Sequence, residues 1–142
     1  MCIRDSPGIP IRKTHKERAL QSVREKLLTP VGLRTLSPDD PDYQPVYRGG
    51  QLERDQAYHQ GTVWPWLLGL YADAVAAIEG TERAASEMMP ALAALSAHLR
   101  TEGCMGQIGE VFDGDAPHRP GGAPAQAWSV SEVLRVAKLA GP

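Results

Sequence analysis

The stretch from Gly61 to Gly80, GTVWPWLLGLYADAVAAIEG, decides how the chain is read. Val63, Trp64, Trp66, Leu67, Leu68, Leu70, Tyr71, Ala74, Val75 and Ile78 are apolar around most of a helical circumference, and Pro65 is tolerated in a first turn. Such a helix over 61–79 requires burial on several sides. Gly80 stops it, and residues 81–101 then set Ala85, Met88, Met89, Leu92, Leu95 and Leu99 on one stripe with charges opposite, the pattern of a half-exposed helix. Pro90 falls inside that segment and is expected to kink or divide it. Toward the N-terminus, Thr14 and Glu17 have capping-box spacing, and Ala19, Leu20, Val23 and Leu27 recur at helical intervals until Pro30, predicting a helix over 14–28. Toward the C-terminus, Val130, Val133, Leu134, Ala137 and Leu139 predict a last amphipathic helix over 128–139. The fold class expected is all-α, with about four helices and strands that are short at most. An all-round apolar helix beside amphipathic ones suggests inner helices walled by outer ones, a pattern that periodicity does not distinguish from a helical bundle.

Between these helices the 12 Pro and 14 Gly cluster around 29–50, 103–124 and the termini. Long ordered loops follow, and loops of that length in a compact domain are usually there to line a site. The formal charge of −2 with mixed signs gives no electrostatic footprint for nucleic acid. No apolar run reaches the roughly 18 residues of a membrane span, and no signal peptide is evident, so a cytoplasmic protein without a membrane partner is expected. Cys2 and Cys104 have no metal-ligand spacing and make no disulfide framework. Met1 to Ser6 resembles the translation of a sequencing adaptor. Residues 1–10 are therefore set aside as an artefactual or disordered leader, with the natural N-terminal part of the same chain expected upstream.

Three loop segments mix aromatic rings with polar groups, the combination that sugar sites use to stack on pyranose faces and read hydroxyls. They are Arg54-Asp55, the run Tyr58-His59-Gln60-Gly61-Thr62-Val63-Trp64-Pro65-Trp66, and Gly106 to Asp115 around Glu110. Each has a plainer reading: Trp64 and Trp66 as core anchors, His59 as a loop histidine, Glu110 as a solvent-facing glutamate. Asp113-Gly114-Asp115 lacks the later ligands of a calcium loop, and no metal or organic cofactor is expected. Nucleophilic-hydrolase and phosphate-loop signatures are missing, which leaves carboxylate chemistry.

Three segments considered together carry a resemblance: Leu27 to Ser37, Tyr58 to Trp66, and Gly109-Glu110-Val111-Phe112-Asp113-Gly114-Asp115 followed by Ala125-Gln126-Ala127-Trp128-Ser129. In order and spacing they resemble the C-terminal amylo-α-1,6-glucosidase domain of glycogen debranching enzymes, over roughly residues 19–140. The resemblance implies that residues 11–142 are a partial domain, the C-terminal portion of an (α/α)6 toroid with its site in loops at one end. It implies inverting hydrolysis of α-1,6 glucose stubs on an α-glucan such as glycogen or limit dextrin, one acid protonating the leaving oxygen and one base activating water. Glu110 matches the base, and the acid is expected upstream, so this chain alone is expected to be inactive. Tyr58, His59, Gln60 and Trp64 are expected to bind glucose, with Arg54 and Asp55 at its edge and the Trp128 indole near the same cavity. Gly109 is expected to let the backbone approach the sugar.

Two rivals accompany this reading. Another toroidal glycosidase or a sugar phosphorylase shares the His-x-Gly-Thr-x-Trp-Pro run, although a phosphorylase has no need of a base at position 110. A non-catalytic glycan-binding or helical interaction module could use Tyr58, Trp64 and Trp128 as platforms.

Overall fold

The computed structural model describes residues 12–141, so the leader expected at 1–10 lies outside the described residues. Among the described residues the chain forms five helices and five short strands. Helix α1 spans Lys13–Lys26 and leads into β1 (Leu28–Thr29) and β2 (Gly32–Arg34). Then come α2 (Gln51–Ala57), β3 (Val63–Trp64), α3 (Leu67–Glu79), α4 (Thr81–Thr101), β4 (Val111–Phe112), β5 (Pro120–Gly121) and α5 (Ala127–Ala140). No helix among the described residues is long and apolar enough to cross a membrane.

The helices expected near 14–28, 81–101 and 128–139 form close to those bounds, with local differences. Helix α1 starts at Lys13, and Arg12 stands at its N-cap with no side-chain cap bond, so Thr14 is already inside the helix. Pro30 then occupies the two-residue turn of the β1–β2 hairpin, which pairs Leu28 with Leu33 and Thr29 with Gly32. Thr29 Oγ1 locks that turn by donating to the Gly32 carbonyl at 2.8 Å.

The segment 61–79 is not one helix. Val63 and Trp64 pair with β2 and β4, and α3 begins only at Leu67. β-Branched and large aromatic side chains suit a pleated surface, and Pro65, lacking an N–H, cannot extend the ladder. Its carbonyl instead accepts the first helical bond, from Leu68 at 3.0 Å. Within the expected loop over 29–60, α2 forms from seven residues, too few for a periodic signal.

The strands make one antiparallel meander in chain order, β1-β2-β3-β4-β5. Leu33, Val63 and Phe112 from its three central strands are buried, and they join one core with Leu68, Tyr71 and Val75 of α3, Met88 and Leu95 of α4, and Val133 and Val136 of α5. Helix α4 runs through Pro90 without being divided; the proline sits at an exposed position, where water can solvate the carbonyl left without its usual donor. Its buried line is Ala84, Met88, Ala91, Leu95 and His98, rotated from the expected stripe so that Met89 is 54% exposed. His98 is a polar member of that line: it is buried edge-on to Phe112, its two ring nitrogens make no hydrogen bond, and Nδ1 lies 3.5 Å from the Glu102 carboxylate.

An ionic network ties α1 to α3 and α4. Arg24 bonds Glu87 and Glu79, each at 2.8 Å, and Tyr71 donates to Glu87. Desolvation pushes Glu87 up, but hydrogen bonds from Arg24 and Tyr71 and the charges of Arg24 and Arg83 outweigh it and hold the carboxyl below its ordinary range. Between α1 and α3 an apolar groove of about 400 Å³ remains open, lined by Ala19, Val23, Leu67, Leu70, Ala74 and Ile78 among others. Leu70 at its edge is 56% exposed, so α3 is not buried on every side within these residues.

Candidate functional site

Glu110 lies one residue before β4, at the edge of the meander. Its backbone N–H donates to the Ala123 carbonyl at 2.9 Å, and the Ala123 N–H returns a bond to its Oε2 at 2.9 Å. Tyr58 donates its hydroxyl to Oε1 at 2.6 Å, and the Gln126 amide donates to the same oxygen at 3.3 Å. The carboxylate is therefore half-buried under three donors from two segments, the end of α2 and the loop that leads into α5.

Each donor is placed by local structure. Tyr58 is the C-cap residue of α2, its N–H bonded to the Arg54 carbonyl at 3.0 Å, so the end of that short helix aims the ring. Desolvation first, and then the hydrogen bond to Glu110 and its charge, push the Tyr58 phenol well above its ordinary value, so it remains a protonated donor. Gln126 is the N-cap residue of α5 and is pinned to the segment before β4, its N–H donating to the Ile108 carbonyl at 2.9 Å. Three residues on, buried Ser129 donates to the Gly109 carbonyl at 3.0 Å. Gly122 turns the loop with φ +68°, a left-handed conformation, and a β-carbon there would collide with Glu110 Oε2.

Further aromatic rings cluster around Tyr58. Trp64, buried in β3, meets Tyr58 edge-on at 4.8 Å and donates its indole N–H to the Tyr58 carbonyl at 3.2 Å. His59 lies parallel to Trp64 at 5.6 Å and packs on Tyr58 at 4.8 Å. Tyr47 approaches Tyr58 from the other side at 5.7 Å. The loop carrying Tyr47 is stitched to the strand after Glu110. Buried Asp113 accepts from the Tyr47 N–H at 2.9 Å and from Arg48 at 3.3 Å, and Tyr43 donates to Asp115 at 2.9 Å. The two aspartates that suggested part of a calcium loop are thus engaged in holding this loop.

The structure brings Tyr58 to the carboxylate by a direct hydrogen bond, and Trp64 and His59 to the Tyr58 ring. His59 also lines, with Asp55, Gln60, Pro41, Asp42 and Gln44, a polar depression of about 670 Å³ beside the rings. Arg54 is turned to the Gly49 carbonyl at 2.7 Å, where it braces the turn before α2. Trp128 is 61% exposed and meets Trp66 edge-on at 5.9 Å, a second aromatic pair next to the starts of α3 and α5. A β-carbon at Gly109 would meet Pro120, Gly121 and Val111 at ordinary contact distances, so crowding does not require glycine there. Sequence reasoning missed the Gln126 side chain, the Ala123 N–H, Tyr47 and the Gly122 turn as parts of the Glu110 environment. The one available signal was Gln126, an amide where a short capping side chain is the usual choice.

Fold and site together define a class: a helix-rich domain whose small meander presents a hydrogen-bonded glutamate beside a cluster of aromatic rings. Residues 7–135 match the family described as Amylo-alpha-1,6-glucosidase, and the chain belongs to that family. A curated relative, the glycogen debranching enzyme of Saccharomyces cerevisiae (strain ATCC 204508 / S288c), is 41% identical over 63 residues, covering 40% of this chain and 4% of the relative. The chain thus spans a small part of the length of that relative.

Proposed function

We propose that this chain is part of a glycoside hydrolase that removes α-1,6-linked glucose stubs from an α-glucan by inversion, with Glu110 as the general base. The observation that carries the reading is the Glu110 carboxylate, held by Tyr58, Gln126 and Ala123, with Tyr47, His59 and Trp64 clustered on the Tyr58 ring. A base must keep one oxygen trained on a water below the anomeric carbon, and a carboxylate gripped by three donors from two segments has little freedom to swing away. Tyr47, Tyr58 and His59 supply ring surface for a pyranose with buried Trp64 backing them, and Gln60, Asp55 and His59 of the adjacent depression supply groups that read hydroxyls. Inversion needs a second carboxyl, the acid, about 6.5–9.5 Å away to leave room for the water. We assign that acid to a part of the polypeptide beyond these 142 residues. The (α/α)6 toroid belongs to the same proposal, and the open apolar groove between α1 and α3 supports it, because further helices packed there would remove it from water.

The test is glucose release from a limit dextrin by the complete polypeptide carrying this segment. Wild type is expected to release β-glucose, and Glu110→Gln to lower kcat by about 100- to 10,000-fold. A Glu110→Gln protein that turns over at the wild-type rate removes the base from Glu110. A wild type that binds the dextrin and releases no sugar leaves a glycan-binding module instead.

A further inference from the structure

The two oxygens of Glu110 are not equivalent. A carboxylate oxygen offers about two acceptor positions. Both positions of Oε1 are taken, by the Tyr58 hydroxyl at 2.6 Å and the Gln126 amide at 3.3 Å. Oε2 accepts one bond, from the Ala123 N–H at 2.9 Å, and keeps one position open. The two donors to Oε1 come from opposite ends of the site, one at the finish of α2 and the other at the start of α5. Gln126 makes no cap bond to α5 although it occupies the N-cap, where an outward-reaching amide contributes less to the helix than a short polar side chain would. Its reach to Glu110 is what that position provides. Tyr58, expected from the sequence to bind sugar, has already committed its hydroxyl proton to the carboxylate.

We propose that Tyr58 and Gln126 are positioning residues that clamp Oε1 of Glu110, leaving Oε2 as the oxygen that deprotonates the attacking water. This deepens the proposed function and rests on it. In the step, the water oxygen bonds to the anomeric carbon while its proton passes to Oε2. The bond from that carbon to the glycosidic oxygen breaks with its electron pair going to the oxygen, which takes a proton from the second carboxylic acid. Oε1 becomes the carbonyl oxygen of the protonated acid and keeps both of its hydrogen bonds, so a carboxylate anchored there reacts without reorienting.

The experiment uses the complete polypeptide, with kcat and KM for glucose release measured for Tyr58→Phe and Gln126→Leu. Each is expected to lose about 10- to 100-fold in kcat with KM within about twofold, because the base is loosened and the sugar contacts stay. The same changes are then placed in Glu110→Ala, with azide supplied as the nucleophile. There neither is expected to cost anything further, since both act through a carboxylate that is gone. A raised KM at unchanged kcat, or a loss that persists in the azide reaction, overturns the assignment and makes them substrate-binding residues. If Glu110→Gln keeps full activity, the base assignment fails and this inference falls with it. If Glu110→Gln is dead while Tyr58→Phe and Gln126→Leu turn over normally, the clamp alone is refuted. Should Tyr58→Phe fail to fold, Gln126→Leu carries the test from the other side of the site.

Discussion

Gly122→Ala adds one carbon to the loop that closes over Glu110, and the structure sets the size of the effect. The new β-carbon would collide with Glu110 Oε2 and lie 3.1 Å from Glu110 Cβ and 3.2 Å from Val111 Cγ2. Comfortable carbon contacts are about 3.5–4.0 Å, so relief requires loop and carboxylate to part by about 0.3–0.9 Å. A shift of about 1 Å in a catalytic group costs on the order of 100-fold in rate. The left-handed backbone at φ +68° adds a stability cost of about 1–2 kcal/mol for a residue with a β-carbon. Gly80 supplies the control: it has φ +101°, and a β-carbon there would meet nothing within 4 Å. Gly80→Ala is expected to lower the urea midpoint at unchanged kcat, whereas Gly122→Ala lowers both. The assay is kcat for glucose release by the complete polypeptide, with unfolding midpoints for both variants. A Gly122→Ala enzyme within twofold of the Gly80→Ala rate refutes the claim that this glycine exists to make room for the carboxylate.

Two stability predictions concern the support of the fold. Glu87→Gln removes the charge that binds Arg24 and Arg83, and because the Glu87 side chain is only 9% exposed the loss should be about 2–3 kcal/mol at neutral pH by urea unfolding. The folded carboxyl titrates below its unfolded counterpart, so the unfolded chain takes up protons first as pH falls. The advantage of wild type over Glu87→Gln is therefore present above the ordinary glutamate range and should fade as pH drops through and below it; a difference that stays constant down to strongly acidic pH would contradict this. His98→Leu replaces a 5% exposed ring whose nitrogens make no hydrogen bond, and whose nearest charge is the exposed Glu102 carboxylate 3.5 Å from Nδ1, by an apolar side chain, and is expected to raise stability by about 1 kcal/mol, read as an increase in melting temperature. A clear decrease would mean that the imidazole has a partner that repays its burial.

Helices α1, α4 and α5 could be read from the chain because their signal is local: apolar residues three and four apart, bounded by breakers such as Pro30 after α1 and Gly80 before α4. The motif around Glu110 was legible for the same reason, as a short run of neighbours with a distinctive order. The strands were not, because two residues contain no period, and Val63-Trp64 becomes β3 only by pairing with partners at Leu33-Arg34 and Phe112. Reading 61–79 as one helix failed at that point: long-range pairing overrode a local pattern that fitted a helix. The site divides in the same way. Sequence alone nominated Glu110 and the aromatic segment at 58–66. Only the tertiary structure decided that Tyr58, 52 positions away, gives its proton to Oε1, that Gln126 joins it, and that Trp128 turns to Trp66. A hydrogen bond about 3 Å long depends on where the meander and the ends of α2 and α5 come to rest, and that is settled by the packing of Leu33, Val63 and Phe112 on the helices rather than by the residues that make the bond.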